Sequence, residues 1–275
     1  MDEGNIVVCI PYYKSSENLT AFERDILVNN IEKLSSYTIY FMVPDRYKRD
    51  AEAAALNYMR IVENTDIRLI VTADRHLMSV KSYDKFLKTP AFYAQFSTAE
   101  YVCICQLDAW IFRDVLRVTA GYDYPIIGAP WILYGNKSTR KYIGAGNGGY
   151  TLRNIEVAKR ALSASNSKIN SVRFNAMIEY IIIERTARQC KNLKDVILQH
   201  ALKVIANRRV LHRFHIARIL LQEDMFLSLL IYSSDLSEKM PSVQEAALFS
   251  YEINPEYLYS LTGFKLPSGC HAPVR

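Results

Sequence analysis

The chain has 275 residues, of which 50% are hydrophobic and 23% charged, with a formal net charge of +6. This composition is ordinary for a soluble globular protein, and the length suffices for one large α/β domain. No apolar run reaches the roughly 18–20 residues of a membrane span. The acidic start, Met1 to Asn5, is unlike a signal peptide, so a cytoplasmic protein is expected.

The positive charge is unevenly placed. Between Arg185 and Leu221 there are nine Lys/Arg and one acid, Asp195, so this segment carries +8 and the remainder −2. The five cysteines are odd in number and lack a C-x-x-C pair, which points to reduced, packed thiols.

In chain order, Asn5–Pro11 is a buried strand stopped by proline. Phe22, Ile26, Leu27, Ile31 and Leu34 give Ala21–Leu34 helical spacing. Thr38–Val43 is a second strand, Tyr47–Ile61 a helix, and Ile67–Thr72 a third strand. Ser82–Phe96 is mostly helical, with Pro90 opening a second helix, and Tyr101–Leu107 is a fourth strand. Strands alternating with helices predict a mostly parallel, doubly wound sheet flanked by helices. Short strands are expected at Tyr124–Gly128 and Gly149–Arg153. Residues 155–221 contain neither Pro nor Gly and should be largely helical. Glu223–Tyr232 is expected as a helix, Ala246–Ile253 as a strand, and the tail from Leu266 as a loop. The organisation is one domain, 1–275, with a basic helical insertion at 156–221.

Several features lie at the ends of these elements. Pro11, Tyr12 and Tyr13 follow the first strand, beside the ligand crevice of an open α/β sheet. Asp108 ends a buried apolar run and is followed by Trp110. A carboxylate there belongs at the sheet edge or on a hard cation such as Mg2+ or Mn2+. The cluster Gly144-Ala-Gly-Asn-Gly-Gly149 would let backbone approach a ligand. Glu223 and Asp224 open an amphipathic helix, as dipole-favoured acids or as a general base. His271 is a lone histidine in a Gly-Cys-His-Ala-Pro loop.

The order and spacing of these pieces resemble the DUF5672 family of bacterial, glycosyltransferase-like proteins. The resemblance is carried by Ile10-Pro-Tyr-Tyr-Lys14, Ser82-Tyr-Asp-Lys85, Pro90-Ala-Phe-Tyr93, Gln106-Leu-Asp-Ala-Trp-Ile-Phe-Arg-Asp114 and Tyr122-Asp-Tyr124. It continues through Ile127-Gly-Ala-Pro-Trp131, Gly146-Asn-Gly-Gly-Tyr-Thr-Leu-Arg153, Glu223-Asp-Met-Phe226, Ala246-Ala-Leu-Phe249 and Pro267-Ser-Gly-Cys-His271. It covers roughly residues 6–155 and 222–273.

The resemblance implies a GT-A-like (Rossmann-like) fold that transfers a sugar from a nucleoside-diphosphate-sugar donor to an acceptor hydroxyl, in bacterial surface glycan synthesis. Pro11, Tyr12, Tyr13, Lys85, Gln106 and Asp108 would contact the nucleotide. Asp108 and His271 would hold Mn2+ or Mg2+. Trp110, Trp131, Asn147, Gly148 and Gly149 would face the sugar or acceptor. Asp224 would be the base, with Glu223 the other candidate. Two departures stand out: Trp110 occupies the second aspartate position of a D-x-D motif, and Asp84-Lys85 stands where many relatives have Asn-Arg.

The competing reading is a non-catalytic nucleotide- or carbohydrate-binding module on the same fold, since fold alone does not fix activity. A glycan or lipid-linked glycan is the expected acceptor. The 185–221 segment could dock on an anionic membrane, at its inner face. No nucleic-acid motif accompanies the charge.

Overall fold

The computed structural model describes residues 5–134, 140–163, 217–219, 221–232 and 240–272. Four strands, β1 (Ile6–Pro11), β2 (Thr38–Pro44), β3 (Asp66–Thr72) and β4 (Tyr101–Cys105), run parallel. The sheet continues with β6 (Ile126–Tyr134) and β7 (Arg140–Asn154), in the order β3-β2-β1-β4-β7-β6. β7 is antiparallel to both β4 and β6. The central sheet is therefore mostly parallel, as expected.

The continuous apolar runs of β1 and β4 follow from burial on both faces. Successive side chains alternate between two cores. Val7, Cys9, Val102 and Ile104 face one core, with α3 (Val80–Leu87), α4 (Pro90–Tyr93), α6 (Ile155–Ser163) and α7 (Glu223–Tyr232). Ile6, Val8, Ile10, Cys103 and Cys105 face the other, with α1 (Ala21–Lys33), α2 (Lys48–Ile61) and α5 (Leu116–Ala120). Cys9, Cys103 and Cys105 are buried free thiols, consistent with packing.

Local signals explain the boundaries. Capping boxes Thr20–Glu23 and Ser79–Ser82 start α1 and α3, and Pro90 opens α4 at its first position. A second, three-stranded sheet joins β5 (Ala109–Ile111), β9 (Gly269–His271) and β8 (Ser250–Tyr251).

Three expectations are corrected. Ala246–Ile253 is not a strand: α8 (Val243–Phe249) occupies most of it, and only Ser250–Tyr251 is extended. A Ser242–Glu245 capping box commits that segment to helix. The tail is not all loop, because Gly269–His271 pairs with β5. The short strand expected at Gly149–Arg153 is the end of the 15-residue β7, which takes in the glycine cluster. Of the span expected as a helical insertion, 156–221, the structure describes α6 at its start, and residues 164–216 lie outside the described residues; a further helix, α9 (Pro255–Leu261), packs beside α8. The segment 185–221, for which membrane docking was an expectation, lies almost wholly outside the described residues. Among the described residues, no helix is long and apolar enough to cross a membrane.

Candidate active site

At the carboxyl ends of β1 and β4, where open α/β sheets bind ligands, lies a cleft of about 590 Å³. Tyr13, Lys81, Tyr83, Asp84, Gln106 and Asp108 line it. So do Gly148, Gly149, Glu223, Asp224, Glu252 and His271. An adjoining, mainly apolar recess of about 310 Å³ is bounded by Pro11, Tyr13, Met78, Val80 and Gln106.

Asp108 is fixed by the turn that follows β4. The Gln106 N–H donates to Gly149 O (2.7 Å), and the Ala109 N–H donates back to Gln106 O (3.0 Å). Asn30, buried on α1, donates to Ala109 O at 2.6 Å and accepts from the Ile111 N–H at 3.0 Å. This side chain anchors β5 and so the residue before it. Cross-strand register sets Ala109 opposite His271. His271 Nε2 then lies 3.0 Å from Asp108 Oδ1, across 163 residues of chain.

The other ring nitrogen, Nδ1, lies 3.2 Å from Glu252 Oε1. The contact is an ion pair rather than a well-directed hydrogen bond, and Nδ1 has no hydrogen-bond partner among the described residues. Burial lowers the pKa of His271, but the hydrogen bond to Asp108 and the nearby charges of Glu252 and Asp108 outweigh it and raise the value to about 9.

Asp224 sits in the first turn of α7, a helix buried on all sides. Its Oδ2 accepts from the Gly148 N–H at 3.1 Å and its Oδ1 from the Met225 N–H at 2.6 Å. Burial pushes its pKa from 3.8 up to about 7, with the Glu223 charge adding to the rise and the two N–H donors opposing it. A carboxylate poised near neutrality can take or give a proton at physiological pH.

Glu223 has another task. It accepts a two-pronged bond from Arg153, at 2.6 and 3.0 Å, and Arg153 is fully buried on β7. The same guanidinium donates to Tyr93 Oη and Thr151 Oγ1, each at 3.0 Å. The expectation of Glu223 as an alternative base is corrected on this ground: its oxygens neutralise a buried cation. Asp84 is similarly occupied by Lys88 Nζ, which also donates to the carbonyls of Arg218 and Leu221. That lysine ties α3 to the chain entering α7.

The glycine cluster serves packing. A Cβ on Gly146 would meet Ser228 Oγ of α7 at 2.6 Å. A Cβ on Gly148, at φ +95°, would collide with Glu252 Oε2. The expected close approach of backbone to a ligand is, at Gly146 and Gly148, an approach of backbone to protein side chains.

Of the residues expected from sequence, the cleft brings together Tyr13, Gln106, Asp108, Gly148, Gly149, Glu223, Asp224 and His271, with Pro11 in the recess. Five are corrected. Tyr12 is fully buried, stacked on Phe41 with centroids 5.1 Å apart, and bonded to Ser16. Trp131 is a core residue and Trp110 stacks on Phe22, so neither faces the cleft. Asn147 is buried and does not line the cleft. Lys85 is exposed and off the cleft; Lys81, one turn earlier on α3, is the lysine that lines it.

Sequence reading missed Lys81, Arg153 and Glu252. Glu252 carried a usable signal, being a single acid that ends the apolar run Leu248-Phe-Ser-Tyr, the pattern that flagged Asp108. Among the described residues, no group of three or more His, Cys, Asp or Glu side chains forms a metal cage. Mg2+ and Mn2+ do not require one, since they commonly take one or two protein ligands plus water and phosphate oxygens. Neighbouring ligands of an octahedral ion at ~2.1 Å are roughly 3.0 Å apart, and Asp108 Oδ1 and His271 Nε2 have that spacing.

A mostly parallel six-stranded sheet with a cleft at its carboxyl edge defines a GT-A-like α/β fold. The same fold appears in the crystal structure of mouse xyloside xylosyltransferase 1 in its apo form. The similarity has a TM-score of 0.51 at 11% identity and covers 98% of this chain and 97% of that one. A weaker similarity, TM-score 0.34 at 10% identity, covers 58% of this chain and 74% of 4-diphosphocytidyl-2C-methyl-D-erythritol synthase from Anaerococcus prevotii. No curated protein sequence matches the chain. The chain belongs to the DUF5672 family, described as a protein of unknown function, whose family model matches residues 66–271.

Proposed function

We propose that this protein is a nucleotide-sugar-dependent glycosyltransferase acting on a glycan hydroxyl. One observation carries the reading: Asp224, a buried carboxylate with its pKa near 7, opens onto the same cleft as the Asp108–His271 pair.

In this reading the nucleotide lies along Pro11, Tyr13 and Gln106, with its base in the apolar recess. Lys81 offsets diphosphate charge. Asp108 and His271 would hold Mn2+ or Mg2+, which when bound would stabilise negative charge developing on the departing diphosphate. Asp224 accepts the acceptor hydroxyl proton on a carboxylate oxygen. The freed hydroxyl oxygen bonds to the anomeric carbon as the bond from that carbon to the diphosphate oxygen breaks, its electron pair leaving with the nucleoside diphosphate. A single displacement of this kind inverts the anomeric centre. Gly148 N–H orients Asp224, and the Arg153–Glu223 pair holds the first turn of α7 in place.

The test is transfer or hydrolysis of a panel of nucleoside-diphosphate sugars with Mn2+, by wild type and Asp224→Asn. Loss of turnover with retained nucleotide binding is expected. Nucleotide binding with no turnover by either protein would instead favour a non-catalytic binding module. Location at the inner membrane face, a lipid-linked acceptor and a part in bacterial surface glycan synthesis belong to the same proposal. They are tested by partition onto anionic vesicles with and without residues 185–221.

A further inference from the structure

Among the described residues, the two most exposed large hydrophobic side chains are Val80 at 82% and Ile219 at 79%, and both line the cleft. A side chain that lines a cleft and is still so exposed stands where the cleft meets solvent. Met78, 64% exposed, bounds the adjoining recess together with Val80. The three come from two places in the chain: Met78 and Val80 from the start of α3, Ile219 from the residues that lead into α7. Cations accompany them. Lys81 lines the cleft, Lys85 follows it by one turn of α3, and Arg75 precedes Met78 by three residues; all three are exposed. Residues 75–88 hold four Lys/Arg and one acid, Asp84, which is paired with the buried Lys88. A single exposed aliphatic residue needs no explanation. Three that share one opening, beside cations, mark an interaction surface.

We infer that this rim rests on an anionic bilayer, so that the cleft opens onto the lipid and takes an acceptor glycan carried on a membrane lipid. The inference deepens the membrane location and lipid-linked acceptor given under Proposed function and rests on that reading. It assigns the contact to the cleft mouth rather than to residues 185–221. Met78, Val80 and Ile219 enter the boundary between headgroups and acyl chains, while the cations meet lipid phosphates. Lys and Arg suit that place, because their stems lie along apolar surface and their heads stay at the polar level. A protein partner fits this rim less well. Cores of protein interfaces favour aromatic residues and are poor in lysine, whereas the side chains that project here are aliphatic and basic. A lipid-borne acceptor can then reach Asp224, on the same cleft, while its tail stays in the bilayer.

The test measures partition of the full chain onto vesicles of phosphatidylglycerol and phosphatidylcholine. Arg75→Gln combined with Lys85→Gln removes two exposed charges that do not line the cleft. Partition should weaken by roughly 5-fold for each charge removed, with nucleotide affinity unchanged. Thermal melts establish that the variant is folded. Position is read from tryptophan fluorescence with brominated lipid as quencher, relative to wild type. Ile219→Trp reports on the rim, and Val118→Trp reports from α5, on the other face of the sheet, at a site that is 65% exposed. Bound Ile219→Trp should be quenched and bound Val118→Trp should not. Partition of the double variant within twofold of wild type, or equal quenching at the two positions, would overturn the rim while a membrane contact through 185–221 still stands. Wild type that ignores these vesicles removes the membrane location and this inference with it, and leaves sugar transfer to be judged by the turnover test above.

Discussion

Replacing Asp224 by asparagine separates what this carboxylate costs the fold from what it does in the cleft. The side chain is 8% exposed, and its pKa is raised from 3.8 to about 7. Between roughly pH 4 and pH 7 the native state therefore binds more protons here than the unfolded chain does. The sign is opposite to that of a salt-bridged carboxylate: stability falls as pH rises through this window and stays low above it. The shift corresponds to about 4 kcal/mol at most, and about 2–4 kcal/mol is expected. Asparagine does not titrate, so this penalty disappears in the variant. Its amide can accept only one of the two N–H bonds from Gly148 and Met225 and sets an NH2 against the other. That loss, on the order of 1–3 kcal/mol, does not depend on pH. The informative quantity is therefore how the difference between the two proteins changes with pH. Urea unfolding of both at pH 4, 5, 6, 7 and 8 should show the Asp224→Asn variant gaining about 2–4 kcal/mol on wild type across the series. Parallel curves would refute the perturbed carboxylate and, with it, the choice of Asp224 as base.

Further outcomes follow from the same geometry. Transfer by wild type should rise with pH through about 7, as Asp224 loses its proton, and Asp224→Asn should lower turnover by roughly 10²–10⁴-fold; a rate flat from pH 5 to 8 would argue against it. Arg153→Met should cost about 3–5 kcal/mol in chemical denaturation, because Glu223 is left buried and unpaired. Arg153→Lys should rescue it only partly, since an ammonium lacks the two-pronged fork. Tyr12→Phe should cost about 1 kcal/mol for its lost hydrogen bond to Ser16 and leave nucleotide affinity unchanged, whereas Tyr13→Ala should weaken that affinity, both read by calorimetry. Gly148→Ala should depress stability and transfer together, because its new methyl would collide with Glu252 and its φ is positive.

The first hundred residues were legible because parallel strands buried on both faces leave continuous apolar runs, and the helix after the first strand shows 3.6-residue apolar spacing. Residues 246–253 misled because a short apolar run fits a buried strand as well as a buried helix. Only the Ser242–Glu245 pair upstream decides between them. Asp108 announced itself as one acid ending an apolar strand. Its meeting with His271 depends on pairing between two three-residue strands, β5 and β9, for which no local pattern exists; the resemblance to the family supplied it. Tyr12 and Trp131 were misassigned since an aromatic beside a strand end can turn inward or outward, and packing against Phe41 and α7 settles which. Glu223 and Asp224 are neighbours in sequence, yet one faces a buried arginine and the other a glycine N–H. Only β7, folded against α7, tells them apart.

A crystal structure with a nucleoside diphosphate and Mn2+ tests the sugar-transfer reading most directly. The diphosphate should lie in the cleft, sharing one Mn2+ with Asp108 and His271, the base should lie beside Tyr13, and Asp224 should face the open side next to the terminal phosphate. A nucleotide seated elsewhere, or a cleft that stays empty at saturating ligand, would contradict it.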